Sequence, residues 1–165
     1  MLLLIRGLSG SGKTTLAKLI VVLNDLDHFV GADIFAADDH FMVDGQYQFD
    51  PAKLPEAHAQ CQERTDASLA DGRWVVVHNT FSCRWELEPY FRLADAHEIE
   101  VFVVDLFDGG CTDEQLVERT QHGVPLSSIQ AMRARWEHDW RSGDALPPWE
   151  RSDSERGAQS PEGGE

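Results

Sequence analysis

The sequence predicts an α/β fold, a parallel sheet with helices on both faces, and three observations carry that prediction. The apolar run Leu2-Leu3-Leu4-Ile5 leads straight into "GLSGSGKTT" and then a helical pattern, so a strand, a glycine loop and a helix stand in order. The runs "WVVV" and "VFVVD" are almost continuously apolar, as strands buried on both faces are. Helical stretches separate these runs, and parallel strands need such crossover connections.

The elements follow along the chain as strand 2–6, helix 13–23, strand 33–37, helix 52–70, strand 74–78, helix 85–95, strand 100–105, helix 113–121 and helix 126–140. The first strand is the apolar start, and the helix after it opens at the end of the glycine loop. "DIFAA", "RWVVV" and "VFVVD" supply the other three strands. Gly123 and Pro125 punctuate the last two helical stretches, which is how a hinged lid can be built. In the final helix Ile129, Met132, Trp136 and Trp140 recur near the helical period and are predicted to be core rather than a base-stacking platform.

The chain has 165 residues, 42% of them hydrophobic, enough for one globular domain with its own core, assigned to residues 1–149. No apolar run approaches the length of a membrane span, and "MLLLIRG" has neither the basic start nor the apolar length of a signal peptide. A cytoplasmic protein with no membrane partner is expected. Cys61, Cys83 and Cys111 lie far apart and lack the close pairing of a zinc site, so reduced, buried thiols are expected. The formal charge of −15, with only 14 Lys and Arg, weighs against a broad basic groove for nucleic acid, though a local patch near the glycine loop is compatible with it. From Pro147 the chain is poor in apolar residues and rich in Pro, Gly, Ser and Glu, so residues 150–165 are predicted to be an acidic disordered tail.

The glycine loop carries the chemistry. Its pattern is G-x-x-x-x-G-K-[ST] at Gly7, Gly12, Lys13 and Thr14. Glycines let backbone N–H groups turn inward around phosphate oxygens, and the following helix adds the positive end of its dipole. Gly7, Ser9, Gly10, Ser11, Gly12, Lys13, Thr14 and Thr15 are therefore the expected nucleotide-binding residues, with Lys13 on the β- and γ-phosphates and the Thr14 hydroxyl on Mg²⁺.

Ligands of such sheets bind outside the carboxyl ends of the strands, so the residues just after each apolar run are the next candidates. Asp38-Asp39-His40 follows the second strand; a carboxylate there can take a proton from an attacking hydroxyl or help hold Mg²⁺. Two adjacent acids cannot both face the phosphates, so one of them is expected to be structural. His78, Asn79 and Thr80 end the third strand with neutral hydrogen-bonding groups where a motor ATPase would more often carry a metal-binding aspartate. Asp105 is the alternative for that role, or a capping residue. The lid brings opposite charge in Arg119, then His122, Arg133 and Arg135, and a lid arginine can neutralise charge developing on a transferred phosphoryl group. Each of these arginines can equally well lie on a solvated helix face.

The ordered set "GLSGSGKTT", "ADDHF", "DGQYQFDPAKLPEAHAQC", "VVVHNTF", "WELEPY" and "RTQHGVP...I..MRARWEHD" resembles the P-loop kinases similar to polynucleotide 5′-hydroxyl kinase, a family that includes phage kinases acting on 5-hydroxymethyluracil in DNA. The resemblance runs from Met1 to about Trp140. It implies a kinase-type P-loop NTPase fold with a helical lid at about 113–126, and phosphoryl transfer from ATP with Mg²⁺ to a hydroxyl. In its terms Asp38 is the general base, Lys13 holds the phosphates, Thr14 the metal, and Arg119 is the lid arginine. The chain departs from the family at Phe41, where an arginine is frequent, at His122, in place of a second lid arginine, and at His78, in place of an aspartate. Asp39, His40, His78, Asn79, Arg84, Trp85 and His122 are the candidates for the acceptor side.

Three functions are compatible with these residues. The leading one is an ATP-dependent kinase of a nucleic-acid hydroxyl, with DNA as the partner. The second is a kinase of a small molecule or nucleotide, which the acidic charge favours. The third is a nucleotide-binding module without catalysis, which the presence of Lys13, Thr14 and Asp38 disfavours.

Overall fold

The computed structural model describes residues 1–26 and 31–137 of the chain. Four parallel strands, β1 (Leu2–Arg6), β2 (Ala32–Phe35), β5 (Trp74–His78) and β6 (Val101–Asp105), form one sheet in the order β2-β5-β1-β6. A separate antiparallel hairpin joins β3 (Met42–Val43) to β4 (Gln46–Tyr47). The helices are α1 (Lys13–Leu26), α2 (Leu54–Ala70), α3 (Glu88–Ala96), α4 (Asp113–Arg119) and α5 (Leu126–Ala134).

The period of two in β1 sends alternate side chains to opposite faces of the sheet. Leu2 and Leu4 join Val75, Val77, Ala57, Cys61, Tyr90 and Ala94 beneath α2 and α3. Leu3 and Ile5 join Val76, Ala17, Leu16 and Ile20 beneath α1. Helices thus cover both faces. A third cluster, Leu8, Leu116 and Ile129 with Met132 and Trp136 against it, fastens α4 and α5 to the glycine loop. Trp136 and Met132 are therefore packing residues, as their spacing predicts, while Trp140 and the tail after Trp149 lie outside the described residues. Cys61 is buried, and Cys83 and Cys111 are only half-buried; all three thiols are free.

Apart from shifts of one to three residues at the ends of α1 to α4, the structure differs from the sequence reading in three places. The second strand stops at Phe35 rather than at 37, because Asp39 Oδ2 accepts the Ala36 N–H at 2.9 Å and turns the chain into a 3-10 helix over Ala37–Phe41. The hairpin at 42–47 stands where the sequence reading has no element. Its turn is Asp44-Gly45 with φ of 50° and 77°, the pair of left-handed residues that a type I′ hairpin needs. The last helix stops at Ala134 because the chain beyond it is drawn away: the Glu137 N–H donates to the Ser82 carbonyl at 2.8 Å, and the Glu137 carbonyl accepts from Arg6 at 2.6 Å.

Candidate active site

The carboxyl ends of the four parallel strands lie along one edge, and each delivers one of the residues singled out above. The glycine loop leaves β1 and turns on its own backbone, the Ser11 N–H donating to the Leu8 carbonyl, while the Gly7 N–H donates to the Thr80 carbonyl beyond β5. Gly12 has φ of 99°, with open space where a side chain would begin. Gly10 has φ of 82°, and a side-chain carbon there would run into the Leu116 carbonyl oxygen of α4. The loop therefore needs glycine for its shape at one position and for its contact with the lid at the other.

Lys13 begins α1 and is half-buried, folding back so that Nζ donates to the carbonyl oxygens of Gly7 (2.8 Å) and Leu8 (2.9 Å). Burial lowers its pKa to about 8, and the Asp38 carboxylate partly opposes this. Thr14 is half-buried and Thr15 exposed in the first turn of the helix. The Ser11 hydroxyl is buried within the loop with no described partner. The donor set suits a phosphate chain: a loop of turned-in backbone, an ammonium and a helix N-terminus. The Thr14 hydroxyl follows the lysine directly, where a divalent ion bound to those phosphates would find it. No cluster of three metal-ligating side chains exists among the described residues, so phosphate oxygens and water would complete such an ion's shell.

The adjacent acids divide as expected. Asp39, exposed like its neighbour, turns back on its own backbone, capping the Ala36 N–H and pairing with Arg64 at 3.1 Å. Asp38 faces outward, and its Oδ1 accepts the Tyr47 hydroxyl at 3.1 Å. Asn79, 8% exposed, lies beneath this turn: its Oδ1 accepts the Ala37 N–H at 2.9 Å and its amide points to Cys61. It holds the turn that presents Asp38 rather than facing the acceptor side. His78 is half-buried at the end of β5, and burial lowers its pKa below the usual range, with Asp39 and Asp38 pulling up and Lys13 pushing down. His40 contacts Gln60 at 2.8 Å, further along the same wall.

The lid contributes unequally. His122 stacks on Tyr47 with ring centres 3.9 Å apart and planes at 19°, so it joins the Asp38 group. Arg119 is exposed at the end of α4 and makes no hydrogen bond or ion pair with the described residues. Arg133 is taken up by Asp108 at 2.9 Å and Asp113 at 2.7 Å, which ties α5 to α4. Arg135 and Arg84 are exposed, and the Arg84 backbone N–H donates to Glu137.

Two residues of the site are absent from the sequence reading. Tyr47 is one, and the "DG" between two short apolar-flanked strands is the signal that would have raised the hairpin and with it the tyrosine. Arg6 is the other. It is fully buried, donates to the carbonyls of Phe81, Ser82 and Glu137, lies over the Trp136 ring at 4.4 Å and stands 3.8 Å from Asp105. Its signal is faint: a basic residue closing β1 in register with the acid that closes β6. Asp105 is thus tied to this internal hub. It also lines a cavity of about 220 Å³ with Leu8, Phe107, Asp108, Arg133 and Trp136. A second hollow of about 420 Å³ lies on the hairpin side, lined by His40, Phe41, Val43, Gln48, Phe49, Asp50 and Lys53.

A family described as "AAA domain" matches residues 2–138. The chain is 34% identical to human NEDD4-binding protein 2 over 137 residues, 79% of this chain and 7% of that protein. It is 30% identical to rat 2′,3′-cyclic-nucleotide 3′-phosphodiesterase over 145 residues, 84% of this chain and 32% of that protein. The chain therefore spans well under half of these curated relatives. Among solved structures, Chaetomium thermophilum Kti12 in complex with ADP-AlF3 shares the fold at a TM-score of 0.64 with 14% identity, covering 96% of this chain and 94% of that one. A chain of the Pnkp1/Rnl/Hen1 RNA repair complex shares it at 0.61 with 20% identity, covering 81% and 43%. With the glycine loop and the parallel sheet between its helices in place, the chain belongs to this AAA domain family and shares its fold with Kti12 and the chain of the RNA repair complex.

Proposed function

We propose that the protein transfers the γ-phosphate of ATP to a hydroxyl on nucleic acid, either a 5′-hydroxyl end or the hydroxymethyl group of 5-hydroxymethyluracil in DNA. The observation that carries the reading is that two parallel strands of one sheet, β1 and β2, deliver Lys13 and Asp38, groups of opposite charge, just beyond the same carboxyl edge. Phosphoryl transfer asks for little covalent work beyond holding a hydroxyl in line with the γ-phosphate and removing its proton. Asp38 takes that proton as the acceptor oxygen bonds to phosphorus and the bond to the β-phosphate oxygen of ADP breaks. Lys13 leaves its loop carbonyls for the phosphate oxygens, and Arg119 on the lid meets the charge that develops on the transferring group. Thr14 and the phosphates would hold Mg²⁺, which would add charge neutralisation there.

The cavity beside Leu8 and Trp136 is assigned to the nucleoside of ATP, and the hollow beside Phe41 and Phe49 to the acceptor. Phe49, an exposed ring beside the hollow and held from below by the buried Phe41, offers a face that suits a flat base. A base acceptor must be flipped or single-stranded to reach it. A second reading, a kinase of a nucleoside or other small molecule, is favoured by one observation: Lys53 is the single Lys or Arg in the lining of that hollow, in a chain of charge −15.

The test is label transfer from γ-labelled ATP with Mg²⁺ to three acceptors: 5′-hydroxyl oligonucleotides, end-blocked DNA carrying 5-hydroxymethyluracil, and nucleosides. Label on either DNA, with an acceptor KM that rises with salt, supports the nucleic-acid reading. Label on nucleosides alone, insensitive to salt, replaces it with the second. ATP bound with no acceptor labelled overturns both.

A further inference from the structure

We infer that Tyr47 is a positioning residue for Asp38 and that His122 holds it in place, so that the lid and the general base are set together. The inference rests on the phosphotransferase reading above. The Tyr47 hydroxyl donates to Asp38 Oδ1 at 3.1 Å, and Oδ2 has no described partner. One carboxylate oxygen is thereby fixed and the other left to receive the acceptor's proton. Burial, reinforced by the Asp38 charge, raises the phenol's pKa above its usual range, so Tyr47 stays a donor over the whole working range.

The tyrosine ring has little freedom of its own. Phe41, 2% exposed and in the same 3-10 turn as Asp38, meets it edge-on at 6.0 Å, and Phe49 lies parallel to it at 6.4 Å. The remaining support comes from outside the hairpin. His122, just before the lid's Gly123, lies against the ring at 3.9 Å. Moving the lid away removes that contact and frees the ring to swing its hydroxyl off Asp38. The link runs through a single aromatic pair, and such pairs are worth enough to change the occupancy of a side-chain position severalfold.

Four proteins test the link: Tyr47→Phe, His122→Ala, His122→Phe and the double variant Tyr47→Phe/His122→Ala, each assayed for kcat, the KM of both substrates and ATP affinity. The acceptor is whichever one the wild-type protein labels. Tyr47→Phe keeps the ring and loses the hydrogen bond; kcat should fall about tenfold with the ATP Kd unchanged. His122→Ala should lower kcat about fivefold, and His122→Phe, which keeps a stacking ring, should restore it. The double variant should match Tyr47→Phe alone, because His122 acts only through the hydroxyl that is already gone. Losses that multiply in the double variant, or a Tyr47→Phe protein within twofold of wild type, overturn the inference and leave the phosphotransferase reading standing. A wild-type protein that labels no acceptor overturns that reading and the inference with it.

Discussion

The glycine loop and the Asp38 turn sit on the same edge of the sheet, yet they are built in different ways. The loop is made of consecutive residues, tied to the rest of the sheet at Gly7, and its lysine bonds to carbonyls five and six residues away. The Asp38 turn is assembled from a distance. Asn79, just after β5, holds its start, Tyr47 from the hairpin holds its carboxylate, and His122 from the lid holds the tyrosine. A phosphate grip made of backbone is set by local sequence. An acceptor site made of side chains is set by the packing of the whole domain and can drift as that packing changes.

The sharpest way to break the comparison is to damage the loop. Lys13→Met should lower kcat about a thousandfold, because it removes the one cation the loop aims at the phosphates. Steady-state kinetics beside circular dichroism will separate this loss from unfolding, since Lys13 supports no core packing and the fold should be unaffected.

Gly10→Ala tests the loop's contact with the lid. The new carbon meets the Leu116 carbonyl at a φ of 82°, so either the loop or α4 must move. A loss of about 1–3 kcal/mol is expected, readable as a fall in Tm, together with weaker ATP binding. Gly12→Ala, which meets open space, should suffer only the backbone strain.

Asn79→Ala tests the acceptor half. It leaves the buried Ala37 N–H without a partner and should destabilise by about 1–3 kcal/mol in chemical denaturation. Asn79→Asp keeps the acceptor oxygen and should recover part of that loss. Turnover should fall in Asn79→Ala more than ATP affinity does, because the residue supports Asp38 and not the phosphates.

The smallest expected effect is a pH dependence. The Lys13 pKa, depressed from 10.5 to about 8 in the free protein, leaves the ammonium charged below about pH 8 and progressively neutral above it. ATP affinity should therefore hold steady from pH 6 to about 8 and weaken from there upward, measured by isothermal titration; Lys13→Arg should flatten the curve. Stability moves the opposite way. A lysine whose folded pKa lies below its unfolded one disfavours folding fully below about pH 8, and that penalty is relieved as pH rises from there toward 10.5.

The same contrast decides what can be read from the sequence. The four parallel strands, the glycine loop and the split between a structural and an outward-facing acid are legible because each rests on a local pattern: an apolar run, a spaced glycine motif, two adjacent carboxylates. Asp39 proves to be the structural one because an arginine 25 residues further on reaches it, and nothing in "DDH" announces Arg64. The roles of Tyr47, His122 and Asn79 are likewise invisible, since each depends on a partner brought close only by the fold. Arg6 hides for a different reason. An arginine at a strand end reads as exposed, and only the surrounding carbonyls of Phe81, Ser82 and Glu137 make its burial possible. The last helix is overextended in the sequence reading because the pull of Arg6 on Glu137 outweighs the helical period of Trp136.

Under the proposed function Asp38 serves the acceptor hydroxyl while the glycine loop grips the phosphates of ATP. The most direct measurement compares wild type with Asp38→Asn, following label transfer from γ-labelled ATP to a 5′-hydroxyl oligonucleotide alongside equilibrium binding of ATP. Transfer should fall by about 10²- to 10⁴-fold while the ATP Kd stays within about twofold. Transfer at the wild-type rate, or a loss of ATP binding as large as the loss of transfer, would contradict it.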